Sequence, residues 1–328
     1  MESARADLRR TDVRIREFQP EDRSALVKML NVVDPDRPTT VEEHRHDDEE
    51  YEGTQYTIRR YVAVDPAGEP VVGEGVYFHL PWAHDPARFG VWFAVHPDRQ
   101  GRGIGGALYE RAMQDLAAMR AKQFRTWTQE SKPTAVAFLE HRGFRELMRS
   151  WESRLDVTGF DLANWREYWD VPAGIEITTL AGELAKDPSA LERVYEMDCE
   201  LALDVPRSDP FTSPGFDLYR QHVLESPRAL PEATFLAKDG DRFVGVSSLE
   251  RFDALPDVIN TGFTGVRREY RGLGIAFALK LRAIEYAKRH GYREIRTGNS
   301  SLNAPMLGIN MKLGFVKQPV WISFGKDL

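Results

Sequence analysis

The chain has 328 residues and a formal net charge of −7, with 29% charged and 42% hydrophobic residues, a length and balance that suit two ordinary globular domains. No run is apolar enough to span a bilayer, and the net negative charge argues against nucleic acid as the main partner. A single cysteine, Cys199, excludes an internal disulfide, and the charged start from Met1 to Asp7 has no apolar signal core, which together read as a reducing, cytoplasmic setting.

In chain order, residues 13–18 alternate as a strand, and Pro20-Glu21-Asp22 opens a helix through Leu30 with its acids at the positive end. Residues 39–51 are charged and helical. Their Glu42, Glu43, His44, His46, Asp47 and Asp48 match no metal-ligand spacing, so the segment reads as a solvated helix face. Residues 57–65 and 69–79 form a hairpin turning at Pro66-Ala67-Gly68, with Glu74 inside its second strand. A central strand over 89–95 then leads through Gln100-Gly101-Arg102-Gly103-Ile104-Gly105 into a helix over 104–119. Strand 124–127, helix 135–142 and Gly143-Phe144 follow, and 145–156 reads as the last strands of this domain. An aromatic linker with Trp165, Tyr168 and Trp169 comes next, its rings expected to pack between domains rather than to bind a ligand.

The second half repeats the plan. Strand 175–179 and helix 188–203 come first, with Cys199 at an apolar helical position and so a core residue rather than a nucleophile. A proline-containing loop, 204–215, and a helix, 216–224, precede a hairpin turning at Asp239-Gly240-Asp241. The central strand 258–264 then leads through Arg271-Gly272-Leu273-Gly274-Ile275-Ala276 into helix 275–289. Strand 294–297, helix 306–313 and Gly314-Phe315 close the pattern. The offset from Gln100 to Arg271 is 171 residues, and from Gly143 to Gly314 it is again 171. One offset at two distant landmarks means two copies of a whole domain, placed at 1–157 and 174–328 around a linker at 158–173.

Each glycine loop joins a strand to a helix N-terminus. The first N–H groups of a helix lack intrahelical partners and, with the helix dipole, form a phosphate site; glycines let the backbone approach a pyrophosphate without a clashing Cβ. Gly101, Gly103 and Gly106 also satisfy the dinucleotide fingerprint. The expected acidic ribose ligand is missing from the following strand, and the second copy has Phe277 where the third glycine belongs, so that reading is set aside.

On these residues the sequence resembles the GCN5-related N-acetyltransferase (GNAT) superfamily, whose signature Gln/Arg-x-x-Gly-x-Gly/Ala is met at Gln100 to Gly105 and at Arg271 to Ala276. The resemblance spans nearly the whole chain as a tandem pair, similar in organisation to mycothiol synthases. It implies an α/β (α+β) fold of two tandem domains, each a mixed, mostly antiparallel central sheet flanked by helices, in a monomer with two pseudo-symmetric domains, a dimer being left open. It implies acetyl-CoA as donor and the amine of a small molecule as acceptor, with acylation of a protein N-terminus or lysine, or acyl-CoA binding without turnover, left open. Backbone N–H groups beside a strand bulge would polarise the thioester, at Phe93, Ala94 and Val95 and at Thr264, Gly265 and Val266. The two loops would hold the pyrophosphate, and Asn299, Asn303 and Met306 the coenzyme arm. The first copy departs from the pattern with Lys132 in place of Asn303. The tyrosine that many members use to protonate the leaving thiolate is replaced by Leu139 and Asn310. Glu250 and Asp257 stand out as bases in the second copy and Glu74 in the first, and the fuller motif set makes the second copy the expected catalytic one.

Overall fold

A computed structural model describes residues 13–66 and 70–328. The start of the chain and most of the Pro66-Ala67-Gly68 turn lie outside the described residues. Two compact units form. The first runs to Leu80 and adds His84–Thr126 and Gly325–Leu328; the second holds Pro81–Ala83 and Trp127–Phe324. Among the described residues no helix is long and apolar enough to cross a membrane.

The first unit contains β1 (Arg14–Glu17), α1 (Arg23–Val33), α2 (Val41–Glu49), β2 (Ile58–Val64), β3 (Val71–Phe78), β4 (Arg88–Val95), α3 (Ile104–Ala118) and the start of β5 (Gln123–Gln129). Its strands lie side by side in chain order. All neighbours are antiparallel except β4 and β5, which pair in parallel only from Arg88–Gly90 against Gln123–Arg125. Leu26 and Met29 of α1 pack on Val62, Val64, Val71 and Ala94, and Leu108 of α3 covers Gly73 and Gly75 from the other face. The last residues of the chain belong here too, Leu328 N–H donating to Lys122 O at 2.8 Å.

Segment 39–51 departs from the expected solvated face. Its helix α2 is present, capped by Thr40 and Glu43, but Glu43 and His44 are buried. Asp48 accepts from Arg23 and Arg60 at 2.8 Å each, and Arg60 also reaches Glu74 at 2.7 Å. Composition announced charge; it did not announce that these charges satisfy one another under α1.

The second unit contains α4 (Pro133–Glu140), β6 (Arg145–Asp156), β7 (Ile175–Thr179), α5 (Leu180–Lys186), α6 (Ala190–Ala202), α7 (Phe216–Arg220), β8 (Thr234–Asp239), β9 (Arg242–Arg251), β10 (Val258–Val266), α8 (Ile275–Arg289), β11 (Glu294–Ser300), α9 (Ala304–Lys312) and most of β12 (Val316–Asp327). Its sheet order is β12-β6-β11-β10-β9-β8-β7. Residues 145–156 form one long strand rather than several, and β6 pairs antiparallel with β11 from Ser150 to Asp156. Alternation along β9 sends Gly245 and Leu249 toward α8 and Val246 toward α6, so each face has its own core. On the α8 face Leu249, Ile259, Leu281, Ile284, Ile295 and Phe315 are buried together, with Trp165, Tyr168 and Trp169 packed against them. The linker aromatics therefore cover α8, Arg282 stacking 3.5 Å over Trp169.

Candidate functional site

β10 and β11 pair in parallel only from Val258–Asn260 against Glu294–Arg296. Beyond that point the strands part. On the other edge of β10, Thr261 faces Leu249 while Thr264 faces Ser247, three steps against two. This is a β-bulge at Gly262 and Phe263. It is held by Ser248, whose Oγ accepts from Phe263 N–H at 2.8 Å. A Cβ at Gly262 would overlap the Glu250 carboxylate and come within 2.7 Å of that Oγ, so any larger residue there displaces the Glu250 and Ser248 side chains. Arg267 N–H donates to Val244 O at 2.9 Å. By strand alternation the amides of Gly265 and Arg267 serve β9, and those of Thr264 and Val266 point into the parting.

At the end of β10 the chain turns into α8. Gly274 is the N-cap in the left-handed region, φ 81°, with no side-chain cap and no acid in the first turn of the helix. Its first N–H groups thus keep no protein partner of the usual kind. The first copy is built alike, Gly103 capping α3 at φ 84° without a side-chain cap. The motif's opening residue does the same work in both: Gln100 Nε2 donates to Val95 O at 3.1 Å and Arg271 Nε to Val266 O at 2.9 Å.

A cavity of about 540 Å³ joins these features in the second unit. It runs from Phe263, Thr264, Gly265 and Val266 to Arg271, Gly272, Gly274, Ile275 and Ala276, and is closed by Asn303, Pro305, Met306 and Ile309. Every second-copy residue expected to meet the coenzyme lines it except Leu273 and Asn299. Leu273 stands exposed in the loop, and Asn299 accepts from Asn310 Nδ2 at 2.6 Å. Asn303 has a second role, capping α9 through Met306 N–H at 3.3 Å. Asn303→Ala is therefore expected to cost about 1 kcal/mol of stability as a lost N-cap, read as a lower urea midpoint at unchanged m-value.

The residues tie charge to this wall unevenly. Asp204, in the loop after α6, is paired by both Arg268 and Arg271, which hold its carboxyl well below the usual range. Arg271 thus enters the site already half-neutralised. Leu201 of α6 lies over Gly265 and lines the cavity, as does Tyr168 of the linker.

The expected bases separate. Glu250 lies at the bulge, against Gly262, and among the described residues its carboxylate has no hydrogen-bond or ion-pair partner. Asp257 does not belong to the site. It stands before the first residue of β10, roughly 20 Å from Thr264 at ~3.3 Å per strand residue. Arg293 binds it at 2.7 Å and keeps its carboxyl low. Glu74 of the first unit is buried under Arg60 and is no free base either. Sequence reasoning missed Asp198. It sits on the inward stripe of α6 with Leu191, Val194 and Leu201, accepts from Tyr219 OH at 2.6 Å, and leaves Oδ1 without a donor. Burial pushes its carboxyl up to about 7. The signal was present: an acid at an i+4 position of an apolar stripe.

Two family descriptions match the chain, an acetyltransferase (GNAT) domain over residues 53–146 and the acetyltransferase (GNAT) family over residues 192–315. The chain belongs to the GNAT acetyltransferases and carries two such domains in tandem, which makes it an N-acetyltransferase. It is 26% identical over 235 residues to a mycothiol acetyltransferase of Nocardia farcinica, covering 71% of this chain and 73% of that protein. In fold it resembles a tandem GNAT protein from the clavulanic acid biosynthesis pathway, with a TM-score of 0.76 at 21% identity over 96% of this chain and 98% of that one. A GNAT protein from Sphaerobacter thermophilus gives 0.69 at 22% identity, over 96% of both chains.

Proposed function

We propose that the second unit transfers the acetyl group of acetyl-CoA to the amine of a small molecule. The observation that carries this reading is the continuity of one cavity from the uncapped N-terminus of α8 to the parting beside the β10 bulge. A pyrophosphate suits the first end, because free N–H groups and left-handed glycines form an anion cradle there. A thioester suits the second, because two strand amides point into a gap with no β-partner.

When bound, acetyl-CoA supplies the acetyl thioester. Thr264 and Val266 N–H groups donate to the carbonyl oxygen as it gains charge on attack. Phe263 and Leu201 exclude water at the bulge. Glu250 takes the proton from the attacking nitrogen, directly or through one water. Asn303 orients the arm of the coenzyme between β10 and α9. An acceptor of small size accords with the mycothiol acetyltransferases to which the chain is similar.

Calorimetric titration with acetyl-CoA tests this reading. One equivalent with micromolar affinity or better is the expected result for the second unit, and release of CoA on adding amine acceptors completes it. A protein that binds no acetyl-CoA sinks the reading for both glycine loops.

A further inference from the structure

Three residues beside the cavity have no task once the glycine loop, Asn303 and the bulge have theirs. Tyr168 of the linker and Phe277 of α8 both line it, their ring centres 4.7 Å apart. Lys312 of α9 adjoins them. Its Nζ donates to the Tyr168 hydroxyl at 2.7 Å, and stands 3.9 Å from the centre of the Tyr168 ring and 5.4 Å from that of Phe277. The sequence explains the placement. Pro305, Ile309 and Lys312 recur at i, i+4 and i+7, so Lys312 continues the stripe of α9 whose first two members line the cavity. Phe277 is the third residue of α8, within the turn whose N–H groups are open to a ligand.

Charge is distributed unevenly here. Arg271 lines the cavity but is paired with Asp204, which also holds Arg268. Lys312 has no acid. Among the described residues its contacts are one hydroxyl and two ring faces, and two of its three N–H donors stay unused. A lysine that merely covers aromatic surface is ordinary. Arg282 is such a case, stacked on Trp169, which does not line the cavity. Lys312 differs because the two rings it touches are both cavity wall.

We propose that this side of the cavity receives the adenosine of the coenzyme, the base against Tyr168 and Phe277 and the ribose 3′-phosphate on Lys312. The inference rests on the proposed function of the same cavity and extends it. A pyrophosphate on the first N–H groups of α8 brings the adenosine close, since Phe277 follows Gly274 by only roughly 4.5 Å of helix rise. Aromatic rings suit a base, which has a π-face of its own, and an ammonium suits a phosphate as a compact point charge. The pyrophosphate takes the loop N–H groups, while the 3′-phosphate meets a cation for which no acid competes. Tyr168 then serves the site as well as the packing of α8. The same contact makes the site selective for acyl groups carried on coenzyme A over those carried on a pantetheine arm without the 3′-phosphate.

The test is calorimetric titration of the full chain with acetyl-CoA and with acetyl-dephospho-CoA, which lacks only the 3′-phosphate. The parent protein carries Gly103→Glu, so that a like charge opposes ligand in the first glycine loop. Lys312→Met, Tyr168→Leu and Arg282→Met are each added to it. The parent is expected to bind acetyl-CoA at least about tenfold more tightly than the dephospho form, the size of one charge-assisted contact. Lys312→Met is expected to lose at least about tenfold for acetyl-CoA and less than about threefold for the dephospho form, which erases the discrimination. Tyr168→Leu is expected to weaken both by about fivefold or more, as for the loss of a stacked ring. Arg282→Met, the cation on a ring away from the cavity, should leave both within about twofold. A parent that binds the two coenzymes alike overturns the inference, and so does a Lys312→Met protein that still discriminates. Should Tyr168→Leu not fold, Lys312→Met decides alone, because base and 3′-phosphate share one ribose. If the parent binds neither coenzyme, the functional reading of the second unit has failed, an outcome distinct from binding without discrimination.

Discussion

Gly274→Glu is expected to weaken acetyl-CoA binding by at least about 100-fold, and Gly274→Ala by far less. Gly274 holds φ 81° at the mouth of α8 and nothing lies within 4 Å of where its Cβ would go. Alanine therefore meets no clash. It suffers only the left-handed backbone, a cost of about 1–2 kcal/mol in stability. Glutamate adds a carboxylate beside the same N–H groups that receive the pyrophosphate. A like charge at that distance opposes the ligand, while the side chain itself satisfies the helix dipole. Loss of 100-fold corresponds to about 2.7 kcal/mol, a modest demand on two effects acting together. Calorimetry on both variants, with Gly103→Glu alongside, reads the result. Binding lost only in Gly274→Glu places the one site in the second unit. One equivalent lost in each means that both loops hold ligand. Unchanged binding in Gly274→Glu would remove the phosphate role from this loop.

The parts of this molecule readable from its sequence were those that repeat. The two glycine loops stand out because a left-handed backbone at a helix start needs glycine, and the chain writes that need twice at one offset. The cavity wall followed, since strand, loop and helix are contiguous in sequence. What contacts across distant segments decide was not readable. Asp257 looked suitable because it adjoins the central strand, but adjacency in sequence put it at the wrong end, facing Arg293. Tyr168 looked like packing material and also reaches the cavity. Asp204 sat in a loop of no apparent pattern, yet it takes Arg268 and Arg271 of the second loop. The bulge needs a register count between β9 and β10, which no single segment contains.

Glu250→Gln is expected to lower the rate of CoA release with an amine acceptor by about 100-fold or more, within the 10²–10⁴ range of general-base catalysis, and to leave acetyl-CoA affinity unchanged. The affinity should hold because Glu250 does not line the coenzyme cavity; it lies over Gly262 on the α6 side of the bulge. The residual rate has a signature. Without the base, only amine that arrives already neutral reacts, so the rate should climb about tenfold per pH unit up to the amine's own pKa, and wild type should climb less steeply. Asp198→Asn is the informative companion. Asp198 is another carboxylate on that side, with one oxygen given to Tyr219 and its carboxyl raised to about 7 by burial, a value well matched to proton abstraction near neutrality. Its Oδ1 is closed off from solvent, whereas the Glu250 carboxylate stands at the bulge itself. Geometry precedes pKa in choosing a base, which is why Glu250 is expected to carry the larger loss. If Asp198→Asn collapses the rate and Glu250→Gln does not, α6 must move on acceptor binding to uncover that oxygen, and the base belongs to the helix rather than to the strand.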